Sequence, residues 1–130
     1  MSTVSAEELR LLEETAEAIF AAHAEDEPEP GTCSPGLWNA LEESGLTLLG
    51  IDEKAGGSGG GLTEAAALLR ISAAAALPVP LAETAWLAAP ALAAAGLPIP
   101  TGPLTAAAAA SVSEHSLSAA KVSERPPTAA

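Results

Sequence analysis

Apolar positions along the chain fall into four stretches, separated by prolines, glycines and clustered acids. In the first, Leu9, Leu12, Ala16, Ile19, Phe20 and His23 recur at helical spacing. Ser5-Ala6-Glu7-Glu8 precedes it as a capping box, with Ser5 at the N-cap and Glu8 at N3. The helix so opened is predicted to run to about Ala24. Glu7, Glu13, Glu14 and Glu17 lie mostly off the apolar stripe, on the half of the helix where the macrodipole favours negative charge.

The second stretch starts at Ser34-Pro35, an N-cap followed by proline at the first helical position. Leu37, Trp38 and Leu41 form its buried side, and Gly45 stops it. Leu46 to Ile51 is short, apolar and bounded by glycines, which predicts a buried extended segment, after which Asp52-Glu53-Lys54 turns out to solvent. A third helix is predicted from Leu62 to about Ala76, with Leu62, Ala65, Leu68 (or Leu69) and Ser72 on one side. Pro78-Val79-Pro80 ends it, because proline disfavours helical geometry in the residue before it.

The fourth stretch, from Leu81 to Ala95, is predicted to be a helix closed by Gly96. Pro90 removes the bond to the Trp86 carbonyl and predicts a kink. Leu81, Trp86, Leu87 and Leu92 cannot all face one small core while Ala85, Ala88 and Ala89 cover the rest. A helix apolar on every side needs cover on most of them. This surface therefore expects a partner.

Composition sharpens that expectation. Hydrophobic residues are 48% of the 130, but about half of them are alanine, which buries little area. Phe20, Trp38 and Trp86 are the only aromatics, so the core has few large anchors. The net charge is −12, and nine of the 17 acidic residues lie in the first thirty positions, opposed there only by Arg10. Nucleic-acid binding needs a basic face and is excluded by this balance, and anionic membrane surfaces are disfavoured likewise. From Ile71 to Pro100 the only charge is Glu83, yet five prolines divide the run into pieces shorter than the roughly 20 residues a membrane span needs. A single cysteine, Cys33, allows no internal disulfide. With no basic segment leading into an apolar one at the N-terminus, a cytoplasmic protein is expected.

Chemistry-bearing patterns are few. The run Gly56-Gly57-Ser58-Gly59-Gly60-Gly61 invites comparison with phosphate-cradling loops. Leu62, Thr63 and Glu64 stand where a Walker-type loop needs Lys and Ser/Thr, and Leu62 where a dinucleotide fingerprint needs its third glycine. Glu64 would also set a negative charge beside any phosphate. The run is read as a loop that needs positive φ at several positions. His23 closes an apolar stripe near a helix end and has no partner motif, so a cap or packing role is expected. Glu25 to Gly31 has no calcium-loop spacing and reads as a repelling, hydrated linker. Glu83, the sole carboxylate of the apolar half, falls in the first turn of the last helix, where negative charge is favoured. Ser111 to Ser118 with His115 lacks a nucleophile-elbow context, which argues against a hydrolase. No catalytic, cofactor-binding or metal-binding residue is assigned.

Leu37-Trp38 through Gly45-Leu46, the leucine-rich run into Asp52-Glu53, and Gly56-Gly57-Ser58-Gly59-Gly60 form an ordered series. It continues with Pro78-Val79-Pro80-Leu81-Ala82-Glu83-Thr84 and the helix closing at Ala95-Gly96-Leu97-Pro98. This series resembles the N-terminal helical domain of the acyl-CoA dehydrogenase family, over about residues 5 to 105. Members of that family are similar in having a helical N-terminal domain, a central β-domain and a C-terminal helical bundle. FAD sits mainly between the second and third parts, and the base that removes the α-proton of the acyl-CoA usually comes from the third. The first part walls the acyl pocket, and the resemblance places Thr84, Leu87 and Ala88 at that wall.

Where a β-domain would begin, this chain has Ala106 to Ala110 and a Ser/Ala/Pro-rich remainder. The expected organisation is an all-α, irregular bundle of four to five helices over 1–105 and a low-complexity, disordered tail over 106–130. The resemblance implies an FAD-dependent flavoprotein of fatty acid metabolism, with the chain alone lacking the parts that hold flavin or catalyse. A truncated or frame-shifted product accounts for that departure, and a working subunit of a split enzyme accounts for it equally. Self-association or a companion flavoprotein subunit is the expected partner. The alternative from another class is a small acidic helical interaction protein or non-catalytic partner subunit.

Overall fold

The structure is a computed structural model and describes residues 4–109. Among them are four α-helices and no strand: α1 (Ala6–Ala22), α2 (Pro35–Glu43), α3 (Leu62–Ala75) and α4 (Ala89–Ala94), the last continuous with a π-helical segment over Glu83–Ala88. The chain is therefore an all-α domain, as the periodicity predicts. The residues from 110 onward, with most of the expected tail, lie outside the described residues.

Local signals set the helix ends. At α1 the Ser5 N–H donates to Glu8 Oε2 at 2.8 Å and the Glu8 N–H donates to Ser5 Oγ at 3.2 Å, a complete capping box. His23 is the C-cap and ends the helix two residues before the predicted limit. Ser34 Oγ accepts from the Leu37 N–H at 3.2 Å, with Pro35 at the start of α2. Gly45, at φ 71°, closes α2 in a Schellman arrangement: Gly45 N–H donates to Glu42 O at 2.9 Å and Leu46 N–H to Leu41 O at 2.9 Å. Gly96, at φ 69°, ends α4 the same way, through Leu97 N–H to Leu92 O at 2.9 Å.

One core joins these elements. Ala16 and Phe20 of α1, Leu37 and Leu41 of α2, Leu46 and Leu49 of the following turn, Leu68 and Ile71 of α3, and Leu81 are all buried together. Arg70 of α3 donates to Glu13 of α1 at 2.9 Å on the rim, where solvent makes such a pair worth little.

Two local expectations are corrected. Leu46 to Ile51 is not extended: Leu49 N–H bonds back to Leu46 O and Ile51 N–H to Leu48 O, two consecutive turns. Gly45 and Gly50, at φ 71° and 89°, fold the backbone on itself, so Leu46, Thr47, Leu49 and Ile51 are all buried without a partner strand. Leu62 is not on the buried side of α3 but 71% exposed at the first position of the helix; Ala65, Leu68, Ile71 and Ser72 face inward. At Pro90, where the sequence predicts a kink, the helix continues from Leu81 to Ala94 but widens just ahead of the proline, with Ala89 N–H reaching back five residues to Thr84 O.

The glycine loop is tied to the leucine turn by backbone bonds: Gly50 N–H to Gly59 O at 2.8 Å, Gly59 N–H to Ile51 O at 2.8 Å, and Ser58 N–H to Leu48 O at 3.2 Å. Gly56, Gly59 and Gly60 have positive φ, as the sequence predicts. Gly57 does not; it is needed for a different reason, since a Cβ there would lie 2.2 Å from the Ile51 carbonyl oxygen and 2.4 Å from Ile51 Cβ. Gly57→Ala should therefore destabilise the domain by about 1–3 kcal/mol, through forced backbone displacement. Among the described residues, Ala76, the C-cap of α3 at φ 54°, is the non-glycine residue held in the left-handed region. Ala76→Gly should stabilise by about 0.5–1 kcal/mol, the relief of that conformation less the added chain entropy. Thermal melts of the two variants should move in opposite directions; a neutral Gly57→Ala would show that the loop does not rest on Ile51.

Candidate functional site

Three places could carry chemistry, and the first is the start of α3 behind the glycine loop. Glu64, only 5% exposed, lies one turn into the helix and its Oε2 accepts from the Gly61 N–H at 2.8 Å. A carboxylate thus occupies the position where a bound phosphate would meet the helix N-terminus. Gly61 has no side chain to complete a capping box, so only this half of the motif exists. The pyrophosphate of a dinucleotide needs N–H or cationic donors, and this helix start offers it a negative charge instead. The described residues do not fit a flavin here.

The second place joins His23, Asp26 and Ser34. His23 Nδ1 and Asp26 Oδ2 are 2.8 Å apart, and Ser34 Oγ–H donates to the same carboxylate oxygen. The residue types are those of a hydrolytic triad, but the order is not: aspartate sits between serine and histidine, so no imidazole can take the serine proton. Ser34 Oγ is also engaged as the cap of α2. The cluster ties the α1 C-terminus to the α2 N-terminus. His23 has the packing role expected of it, and its ring closes on Gly36, where a Cβ would lie 3.0 Å from His23 Cε1. The acidic linker is more than a hydrated loop, since Asp26 belongs to this tie. Among the described residues, no group of three or more His, Cys, Asp or Glu could hold a metal ion, and no helix is long and apolar enough to cross a membrane.

The third place is the last helix. Leu81, Thr84, Ala85, Ala88 and Ala89 are its buried residues, spaced three and four apart, while Trp86 and Leu87 are 38% and 55% exposed. Apart from Leu81 at its start, small side chains face in, and Trp86 and Leu87 face out. Of the residues placed at a pocket wall, Thr84 and Ala88 are thus interior and Leu87 is on the surface; the helix does not bring the three to one face. Thr84 lines a groove of about 250 Å3 with Glu42, Thr47, Leu48 and residues 99–102. Its hydroxyl lies 2.7 Å from Pro80 O and 3.1 Å from Leu104 O, and it accepts from the Leu104 N–H at 2.9 Å. With one proton to give, it donates to the nearer Pro80 carbonyl, one helical turn back. Glu42 Oε1 holds the same strap by accepting from Gly102 N–H at 2.7 Å.

On the other side of the helix, Ala85 and Trp86 face Leu49, Ile51, Leu62 and Ala65 across an apolar cleft of about 230 Å3. Sequence reasoning missed this cleft, because it joins residues from three segments and depends on Leu62 and Trp86 facing outward together. Glu83 is exposed and borders a wider groove with Cys33 and Pro78–Pro80. Trp38 is buried at 4% exposure, and its Nε1 has no hydrogen-bond partner among the described residues.

Titration offers a check on the second place. The Ser34 hydroxyl, and after it His23, hold the Asp26 carboxyl below its ordinary 3.8. The folded chain then binds fewer protons than the unfolded one in this window. The resulting stability is fully present above the ordinary carboxylate range and is lost as pH falls through the lowered value. Because Asp26 is exposed, the effect is modest. Asp26→Asn should lower stability near neutrality and flatten the acid limb of the melting-temperature profile; an unchanged profile would show that the cluster does not form.

The sequence model of the family described as "Acyl-CoA dehydrogenase, N-terminal domain" matches residues 6–98. No curated protein and no solved structure matches the chain. The matched region spans α1 to the end of α4, including the glycine loop and the proline-flanked last helix, and so the chain belongs to the acyl-CoA dehydrogenase N-terminal domain family.

Proposed function

We propose that the chain acts as the N-terminal module of an FAD-dependent, acyl-CoA dehydrogenase-like flavoprotein of fatty acid metabolism in the cytoplasm. In this reading it contributes part of the acyl-pocket wall and interdomain contacts, and it is not catalytic alone. The family match over 6–98 carries the reading. The exposed Trp86 and Leu87 support it, since an alanine-faced helix that turns its large side chains outward presents them to something else. Thr84, Leu87 and Ala88 are the wall positions proposed on the resemblance. Ala88 and Thr84 set how closely the helix packs, and Leu87 offers the contact surface.

α,β-Dehydrogenation of an acyl-CoA needs a base at the α-carbon and an acceptor for the hydride. FAD supplies the acceptor when bound in such an enzyme. Among the described residues, the His23–Asp26 pair ties α1 to α2 and does not line the cleft beside the last helix, so in this reading the domain binds and excludes water rather than moving the proton. Domain 1–105 is proposed as the folded module and 106–130 as an appended segment. The companion is a flavoprotein subunit or a second copy, and association with a copy works against a charge of −12. The second reading, a small acidic helical interaction protein, shares the exposed face and differs in having no flavoprotein partner.

The purified chain should retain no flavin through gel filtration. It should bind a hydrophobic dye and associate more strongly as salt screens its charge. Leu87→Glu should reduce both without changing far-UV circular dichroism. A yellow protein would overturn the claim that the module cannot hold flavin. A monomer at high concentration and high salt, with no dye binding and no response to Leu87→Glu, would overturn the docking role and leave a self-sufficient helical domain.

A further inference from the structure

Two polar side chains line the groove between α2, the leucine turn and the strap that follows the last helix, and the fold uses neither of them fully. Thr47 is only 5% exposed, and its hydroxyl makes no hydrogen bond among the described residues. Buried hydroxyls are nearly always bonded, to protein or to something held by it. Glu42, half-buried on α2, gives Oε1 to the Gly102 N–H at 2.7 Å. Its Oε2 accepts no hydrogen bond among the described residues, whose ion pairs involve Glu7, Glu13, Glu14 and Asp26 instead.

What these groups leave over are acceptors. The Gly102 N–H is taken by Glu42 and the Leu104 N–H by Thr84. Thr84, 1% exposed, gives its own proton to Pro80 O. No Lys, Arg or His lines the groove, so an anion would face Glu42 with no cation to offset it. A carboxylate oxygen and a hydroxyl oxygen are complemented by a cation that carries N–H donors. Size narrows the class further. The groove holds about 250 Å3, more than the roughly 150 Å3 that admits a benzene and less than the roughly 300 Å3 of a drug-sized site. Leu48, Ile99 and Pro100 offer apolar wall to a short aliphatic stem. Between the two common N–H cations, a guanidinium fits better than an ammonium. Its planar fork presents several donors at once, and it is more weakly hydrated, so it loses less on entering a part-buried site. The chain's net charge of −12 also concentrates small cations around it.

We propose that this groove binds a small alkylguanidinium, with Glu42 Oε2 meeting its charge and the Thr47 hydroxyl accepting a second N–H. The site shares no lining residue with the apolar cleft beside Trp86. It rests on Glu42 and Thr47, which the proposed acyl wall does not use, so it goes beyond the role in a flavoprotein and does not depend on it.

The test is a titration of the full chain with ethylguanidinium, followed by NMR at the amides of Thr47, Gly56 and Gly102. These signals should shift to saturation. Tetramethylammonium, which has the same charge and no N–H donor, should leave them in place. Glu42→Gln keeps an acceptor for the Gly102 N–H, so the strap stays, and it should weaken binding about tenfold or more. Thr47→Val keeps the shape of the side chain and should weaken binding about threefold or more. N-acetylarginine methylamide separates the two sources of a guanidinium. Affinity equal to that of ethylguanidinium assigns the groove to an arginine side chain of a partner, and its loss assigns the groove to a free alkylguanidine. No saturable shift with ethylguanidinium would overturn the site. Equal shifts with tetramethylammonium would also overturn it, as the mark of diffuse attraction to an acidic surface, and so would an affinity unchanged by Thr47→Val.

Discussion

Everything in the middle of the domain depends on the glycine loop lying directly on the Ile51 backbone. Gly57 comes so close to the Ile51 carbonyl that there is no room for a Cβ. The bonds between 50 and 59, 59 and 51, and 58 and 48 hold the two segments at that distance. The leucine turn can then present Leu46 and Leu49 to the core while the same loop delivers Gly61 to the start of α3. Displacing the loop would move α3, and with it Leu68 and Ile71, away from Phe20 and Leu41. The run of glycines is thus a packing device, and Glu64, seated on the Gly61 N–H, leaves it no role as an anion cradle.

The last helix is held differently. Its inward residues are mostly alanine and one threonine, so it buries little area per residue, at about 25 cal/mol per Å2 of apolar surface removed from water. Hydrogen bonds contribute where area does not. Thr84 binds back to its own helix and receives the Leu104 N–H, and Glu42 reaches from α2 to the Gly102 N–H. The outward Trp86 and Leu87, 38% and 55% exposed, contribute less to this attachment than the buried residues do. Their exposure follows from the inward face being small, since a large residue facing in would push the helix away from the core.

What could be read from the sequence was what adjacent residues decide among themselves. The Ser5–Glu8 box, the Ser34–Pro35 start and the glycine stops at Gly45 and Gly96 each involve neighbours within six positions, and each is found. The order of motifs sufficed for the family because it samples most of the chain, residues 6–98. Features set by distant segments were not legible. Whether Leu46 to Ile51 extends or coils depends on the loop that bonds to it. Whether Leu62 is covered depends on how the last helix lies against the start of α3. A helix apolar on all sides gives no periodic signal of which side is inward, so Trp86 and Leu87 could not be told from Ala85 and Ala88. Asp26 looked like one repelling acid among several because its partners, His23 and Ser34, come together only when α1 and α2 meet.

The strap from Leu97 to Leu104 also has a mechanical meaning. A pull applied to the chain beyond Leu104 is taken first by the Thr84 hydroxyl and then by the Glu42 carboxylate, before any load reaches the body of α2 or α3. These two side chains act as strain relief, like the clamp where a cable leaves its housing. Sequence attached after that point can change in length or character without loosening the helices.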